Sequence, residues 1–94
     1  MIPRYLKVDL WLKPKEIEDI QGIEPDFYLS PCRLDLAYVI SHYAFYLYDR
    51  NNLGETTIVE TQGLEFHINL PYAQFDNIIT QFRIQQATVF ASQN

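Results

Sequence analysis

Residues 34–48, LDLAYVISHYAFYLY, are the most apolar run of the sequence, and the fold prediction starts from them. The run holds one charged residue, Asp35, and is interrupted midway by Ser41 and His42. Its odd and even positions are both mainly apolar or aromatic, and the density of Tyr, Val, Ile and Phe favours a strand. Because the run exceeds the usual length of a strand, we expect a bend or break near Ser41 and His42. We predict either a central strand buried on both faces or a strand whose second face is buried by a partner molecule.

The segment before this run begins with a clearly alternating strand pattern. Residues 4–12 place leucine or valine at every second position, with Trp11 on the otherwise polar face. We expect Trp11 either to be covered by the following loop or to anchor an interface. Residues 14–22 predict a short helix that opens at a proline and ends at a glycine. The two prolines and missing period of residues 23–32 predict an ordered loop whose aromatic and leucine side chains pack against the sheet.

The segment after the run predicts a three-stranded meander. Asn, Asp and Gly residues at 49–54 mark the clearest turn of the sequence. Residues 55–61 are rich in β-branched side chains, and residues 64–70 alternate between apolar and polar side chains. Gln62-Gly63 is suited to a two-residue hairpin turn, in which glycine supplies the positive φ. Strands near 43–49, 55–61 and 64–70 therefore follow one another.

An amphipathic helix is predicted over residues 71–83, opening at Pro71. Its apolar side chains recur every three or four residues, which places them on one face: Tyr72, Phe75, Ile78, Ile79 and Phe82. The tail can extend the helix, add a strand or fray, and residues 88–90 favour a strand. The pattern as a whole predicts one α+β domain over residues 1–94, with a mostly antiparallel sheet of four or five strands and the C-terminal helix packed on one face.

The size and charge of the chain restrict the classes of function that it can have. The chain has 94 residues, 48% of them hydrophobic, so one core is possible, and self-association is a common way for so small a domain to bury more surface. The net charge is −5 and the basic residues are scattered, which argues against nucleic-acid binding. The N-terminal residues lack the apolar run of a signal peptide, and no stretch is long enough to span a membrane. A single cysteine, Cys32, fits a reducing compartment, so we expect a cytoplasmic protein.

The residues that most often carry chemistry are not arranged for it. His42 and His67 lack the spacing of metal ligands, and Cys32 has no evident base beside it. Glu60, Glu65 and Asp76 are expected on solvated faces, as is His67, whereas His42 is expected to be hydrogen-bonded at a bend or an interface. Phosphate-binding glycine loops and nucleophile motifs are missing from the sequence. We therefore predict no enzyme, no catalytic residue, no metal site and no cofactor.

The order of features over residues 34–83 resembles the small β proteins typified by the flagellar protein FlbD. The matching residues are LDLAYVIS at 34–41, TTIVETQGLEFHINL at 56–70 and YAQFDNII at 72–79. These form an apolar segment, two strands joined by a glycine turn, and a closing helix. The resemblance covers about half of the chain, and the segment at 13–33 and the aromatic run depart from the pattern. It implies a small non-enzymatic domain and supplies no catalytic residues.

Two functions fit these observations. The first is a protein-interaction module, self-associating or binding another protein through an aromatic-rich strand or a sheet edge. Tyrosine and tryptophan give large, rigid contact areas, and the expected interface residues are Trp11, His42, Tyr43, Tyr46 and Tyr48. The alternative is a protein that binds or sequesters a small ligand, such as a nucleotide or another metabolite, in a tyrosine-lined pocket between sheet and helix.

Overall fold

The structure is a computed structural model that describes residues 1–13, 27–48 and 53–92, with side chains described through residue 89. Five antiparallel strands form one sheet in the order β2-β1-β5-β4-β3, and a C-terminal helix packs against it. The elements are β1 (Tyr5–Leu12), β2 (Tyr28–Asp35), β3 (Ser41–Leu47), β4 (Gly54–Thr61), β5 (Leu64–Ile68) and α1 (Tyr72–Ser92). The predicted α+β class, the antiparallel sheet and the β3–β4–β5 meander are confirmed.

β1 and β2 form a two-stranded ribbon at one side of the sheet, paired from Tyr5 with Asp35 to Leu12 with Tyr28. The loop prediction for residues 23–32 is therefore wrong for residues 28–32, while residues 23–26 and the predicted helix at 14–22 lie outside the described residues. This position tolerates a proline because Pro31 lies on an edge strand opposite Asp9, and the Asp9 carbonyl accepts the Asn69 amide on the side away from β2. Tyr28 and Leu29 are 48% and 43% exposed, so they do not pack inward as expected.

The apolar run 34–48 is not one strand. Its first two residues end β2, a short 3-10 turn covers Leu36–Tyr38, and β3 begins at Ser41. The break comes earlier than the predicted bend because the Asp35 carboxylate accepts the Ala37 amide at 3.0 Å and so caps the turn. β3 then lies at the edge of the sheet. The prediction of a central strand buried on both faces is therefore wrong.

A small junction joins the ribbon to the other three strands. β1 and β5 share one paired position, Leu10 with Ile68. Beside it, the Asn69 amide donates to the Asp9 carbonyl at 2.8 Å, and the Trp11 indole donates to the Asn69 side-chain oxygen at 3.1 Å. Trp11 is thus half-buried and held by a side chain at the end of β5, which gives it a structural role at this junction.

The short connection between β2 and β3 excludes a flat sheet. The connection between β2 and β3 binds β1 at one end, through the Leu36 amide and the Arg4 carbonyl, and β4 at the other, through the Ile40 amide and the Glu60 carbonyl. Four residues reach at most about 14 Å. In a flat sheet, Arg4 and Glu60 would lie roughly 30 Å apart. The sheet therefore bends sharply at the junction and brings the ribbon over the face that carries the helix.

The core lies on this inner face, between the ribbon, the other strands and the helix. It includes Val8, Val59 and Ile68. The Glu55 carboxylate accepts the Tyr72 amide at 2.9 Å and satisfies a free N–H at the start of α1. The predicted helix stripe packs there, with Phe75, Ile79 and Phe82 at most 3% exposed. The helix continues well past the predicted end at 83. Residues 88–90 are helical, so their strand prediction is wrong.

Acid should weaken the fold through Asp35. Arg4 donates twice to this carboxylate, each bond at 2.9 Å, and these bonds together with the Ala37 amide hold the Asp35 pKa below its ordinary value of 3.8. A depressed folded pKa gives stability that is present above the ordinary value and is lost as the pH falls below it. Urea unfolding between about pH 5 and pH 3 should therefore show a smaller loss of stability in Asp35→Asn than in the wild type. Arg4→Gln should also reduce the loss, and equal losses in all three proteins would contradict this role.

Substitutions of Gly63 test how much the β4–β5 turn contributes to the stability of the hairpin. Gly63 has φ +76°, and an added Cβ would meet no atom within 4 Å, so backbone strain rather than a clash decides the effect. We expect Gly63→Ala to lower the free energy of unfolding by about 1 kcal/mol. Gly63→Asn should cost less, because asparagine tolerates left-handed backbone. Chemical denaturation of both variants checks the ranking, and a neutral alanine variant would refute it.

Candidate functional site: the β3 surface

β3 and its flanks expose a continuous set of large apolar side chains. We call it the β3 surface: Ile40, Tyr43, Phe45, Tyr46 and Tyr48, which are 40–66% exposed. All four residues 43–46 are exposed although they alternate between the two faces of the sheet. An edge strand has one neighbour, and here neither face is fully covered. The strand therefore offers side chains on both faces together with a row of backbone groups.

The two edges of the sheet differ in chemistry. The β2 edge carries Pro31, Arg33 and Asp35, which are residues of the kind that prevent pairing with another strand. Residues 41–47 of β3 contain no proline and no Asp, Glu, Lys or Arg. An uncharged aromatic edge lacks the usual protection against strand addition. The β3 edge is thus chemically suited to accept a further strand.

Carboxylates flank the β3 surface on the outer face, opposite the helix. Glu60 and Glu65 are direct cross-strand partners, and the Ser41 hydroxyl donates to Glu60 at 2.9 Å. Tyr43 lies beside this pair. Burial of its hydroxyl, then the charges of Glu65 and Glu60, raise the pKa of Tyr43 above its ordinary value of 10.0. The hydroxyl therefore stays protonated at neutral pH as a hydrogen-bond donor.

The end of β3 carries two tyrosines that support each other. The Tyr46 and Tyr48 rings stack with centroids 6.3 Å apart and an interplanar angle of 15°. Ring pairs at this spacing are attractive beyond the area that they bury. Mutual stacking limits the rotamers of both rings, so less side-chain entropy remains to be lost when a partner covers them.

His42 has a different role from these tyrosines. Its ring is 11% exposed, and its Nε2 lies 2.9 Å from the Asp76 carboxylate on α1. The ring also stacks on Tyr72 at 5.5 Å and meets Phe75 edge-on at 5.3 Å. The predicted hydrogen bond exists, but it joins β3 to the helix within the chain. His42 therefore positions the edge strand, and its polar partner Asp76 is not on a simple solvated face.

Trp11 and His67 lie away from the β3 surface. Trp11 is on β1, separated from β3 by β5 and β4, so the structure does not bring it together with the tyrosines. His67 was expected to be solvated, which is wrong: it is half-buried, its ring lies 5.3 Å from Phe45, and its Nδ1 is sealed from solvent. That nitrogen has no hydrogen-bond partner among residues 1–13, 27–48 and 53–89.

The described parts of the chain also bear on metal, membrane and small-ligand sites. Within them, no group of three or more His, Cys, Asp or Glu side chains is placed to hold a metal ion. None of the helices described there is long and apolar enough to cross a membrane. A groove of about 460 Å³ lies between β2 and the β4–β5 turn, and not between sheet and helix; Tyr38 is the tyrosine in its lining. The tyrosine-lined pocket of the alternative function has no counterpart in this groove.

Comparison with known proteins adds no relative: no protein family, no curated protein and no solved structure matches the chain. The resemblance of residues 34–83 to FlbD-like proteins therefore stays a prediction.

The sequence pattern missed several members of the site. Ile40 and Phe45 belong to the exposed surface, and their signal was the lack of any polar face in the apolar run. Asp76 was identified as a carboxylate, but its pairing with His42 depends on where α1 crosses the sheet. The Glu60–Glu65 pair follows from the hairpin register once the turn at Gln62-Gly63 is known.

The ionisation of Tyr43 should be visible in a pH titration of the protein. Its raised pKa predicts a tyrosine that ionises above the ordinary value of 10.0, and Tyr43→Phe should remove this late component from the ultraviolet absorbance. Glu65→Gln should move it only partly down, because burial is the larger cause. A raised folded pKa also means stability that is lost as the pH rises through it. A titration unchanged by Tyr43→Phe would contradict the assignment.

Proposed function

We propose that the protein is a non-enzymatic interaction module of the cytoplasm that self-associates by pairing β3 with β3 of a second copy. The observation that carries the proposal is the uncharged, aromatic and exposed edge of β3. Strand addition at such an edge satisfies backbone N–H and C=O groups and covers the side chains on both faces. The lone cysteine supports a reducing compartment. No cofactor is required.

A second copy is the partner that the chemistry of the edge favours. Two identical strands that pair antiparallel are related by a two-fold axis, the commonest symmetry of oligomers. Each strand then lies opposite the same segment of its partner, so a charge near the two-fold axis would lie close to its own copy and cost stability. Residues 41–47 carry no such charge. Opposed tyrosine and phenylalanine side chains form the kind of cross-strand pairs that stabilise sheets.

The internal hydrogen bonds of β3 prepare the strand for this role. His42 binds Asp76 on the inner face, and the Thr56 hydroxyl donates to the Phe45 carbonyl at 3.0 Å. The Ser41–Glu60 bond holds the start of the strand. These contacts fix the backbone on the side of β4, so the strand is ordered before a partner arrives. Pre-organisation of this kind lowers the entropy cost of association.

The proposal is tested by replacing the most exposed tyrosine of the strand. Tyr46→Ser should leave the circular dichroism and unfolding midpoint close to wild type, because this ring is 57% exposed. It should weaken self-association by about tenfold or more, as loss of an aromatic anchor does at interfaces. Tyr46→Lys should be stronger, since it would place an ammonium group in an apolar, aromatic interface. Sedimentation velocity over a concentration series measures both effects.

Tyr28→Ser is the matched control, because Tyr28 is 48% exposed on the opposite edge strand. It should leave the sedimentation of the protein unchanged. A wild-type protein that remains monomeric at tens of micromolar would refute the proposal. If Tyr46→Ser unfolds the chain, that face belongs to the core and the β3 pairing is wrong. Equal effects of both serine variants would also exclude a specific β3 interface.

A further inference from the structure

The groove beside β2 is a consequence of the bent sheet. Its walls are β2 on one side and the β4–β5 hairpin tip on the other, with Tyr38 at one end. Its volume of about 460 Å³ falls within the range of small-molecule sites. The apolar part of its lining comes from Leu34, Phe66 and Leu64, of which Leu34 is 3% and Leu64 59% exposed. An exposed leucine in a concave site is well placed to cover an apolar ligand.

Positive charge gathers at one side of this groove. Arg33 and Cys32 line it and also line a neighbouring groove of about 410 Å³, which Lys7 and Asp9 border as well. Lys7 and Arg33 are direct cross-strand partners, an arrangement of like charges that costs stability. Neither side chain makes a salt bridge or a side-chain hydrogen bond with any residue in the described parts of the chain.

The acidic residue of the groove is already neutralised. Asp35 receives two hydrogen bonds from Arg4 and one from the Ala37 amide, so its charge is matched within the protein. Arg4 in turn lies over the Tyr38 ring at 5.7 Å. Among the described residues, this leaves Arg33 and Lys7 without a salt-bridge partner, and Asp9 is the carboxylate that borders the neighbouring groove with them. In a chain of net charge −5, the local excess of positive charge is a specific feature.

We propose that this groove binds a small amphipathic monocarboxylate, with its apolar body on Leu64 and Phe66 and its carboxylate on Arg33, at the border with the neighbouring groove where Lys7 lies. The two like charges that oppose each other in the free protein would share one anion. The guanidinium supplies paired N–H donors that match a carboxylate, and the ammonium adds a second charge. The Thr61 hydroxyl and the Gln62 amide lie in the same lining and complete a polar rim. The site is separate from the β3 surface and does not depend on self-association.

Three probes of similar size and different charge test the ligand class: benzoate, benzyl alcohol and benzylamine. Chemical-shift titrations of the full chain at millimolar ligand should show benzoate binding about tenfold more tightly than benzyl alcohol, with benzylamine weakest. The perturbed amides should include those of Arg33 and Leu64. Equal affinities for the three probes would overturn the anion preference. No binding of any probe, or shifts confined to other parts of the chain, would overturn the site.

Variants separate the charged and apolar halves of the site. Arg33→Gln should remove most of the preference for benzoate and leave benzyl alcohol binding unchanged, and Lys7→Gln should do the same more weakly. Leu64→Ser should weaken all three probes. Arg83→Gln, which removes the same charge and a 3.4 Å bond to the Val39 carbonyl but changes no residue of the groove lining, is the control and should retain the preference. A loss of the preference in Arg83→Gln equal to that in Arg33→Gln would mean that net charge, and not the groove, attracts the anion.

The single cysteine gives a second readout that needs no variant. Cys32 lines the groove and is half-buried, so a bound ligand should hinder its reaction with a thiol reagent. The reaction should slow in proportion to the fraction of protein bound to benzoate, with a midpoint equal to that of the titration. A rate that is unaffected at saturating benzoate would place the ligand elsewhere and overturn the proposal.

Discussion

The attachment of the β1–β2 ribbon to β5 is the contact on which the architecture depends. The sheet bends at one paired position, Leu10 with Ile68. Asn69 reinforces this position with one hydrogen bond to the Asp9 backbone and another to the Trp11 indole. Because β1 and β5 share this one paired position, the junction sets the direction in which the ribbon leaves the sheet. Because that direction is over the inner face, the apolar residues of the ribbon join those of the helix in one core. Trp11, which was expected to be covered by the following loop or to anchor an interface, contributes one of these bonds.

The position of β3 follows from this arrangement. With β1 and β2 folded over one side of the meander, nothing in the described parts of the chain continues the sheet beyond β3. The helix reaches this strand through His42 and Asp76 but leaves Tyr46 exposed. The apolar run was predicted to be buried on both faces, by the rest of the chain or by a partner, and the structure shows which part of the run is left exposed. The uncovered part is the edge itself and the side chains near it, which is the geometry that strand addition requires.

Local patterns predicted the elements whose residues contact their own neighbours in sequence. Alternation identified β1 and the meander, and the glycine turn at 62–63 fixed its register. The three- and four-residue spacing identified the start of α1. The missed features depend on distant partners. β2 is a strand because it pairs with β1, and the break after Asp35 is held by Arg4, far away in the chain. The helix continues beyond residue 83, where the Gln85 amide exchanges two hydrogen bonds with the backbone of Ile2.

The same bend accounts for the two surfaces that the structure leaves open. Folding the ribbon over the meander brings β2 opposite the hairpin tip, with the groove between them, and it leaves β3 as the far edge of the sheet. The two surfaces have opposite chemistry: β3 is uncharged and aromatic, whereas the groove joins apolar side chains to Arg33, which has no salt-bridge partner in the described parts of the chain. Strand pairing and anion binding need these different properties. Because the surfaces lie on opposite edge strands and share no residue, occupation of one leaves the other accessible. The proposed pairing at β3 and the proposed ligand site in the groove are therefore compatible within one small domain.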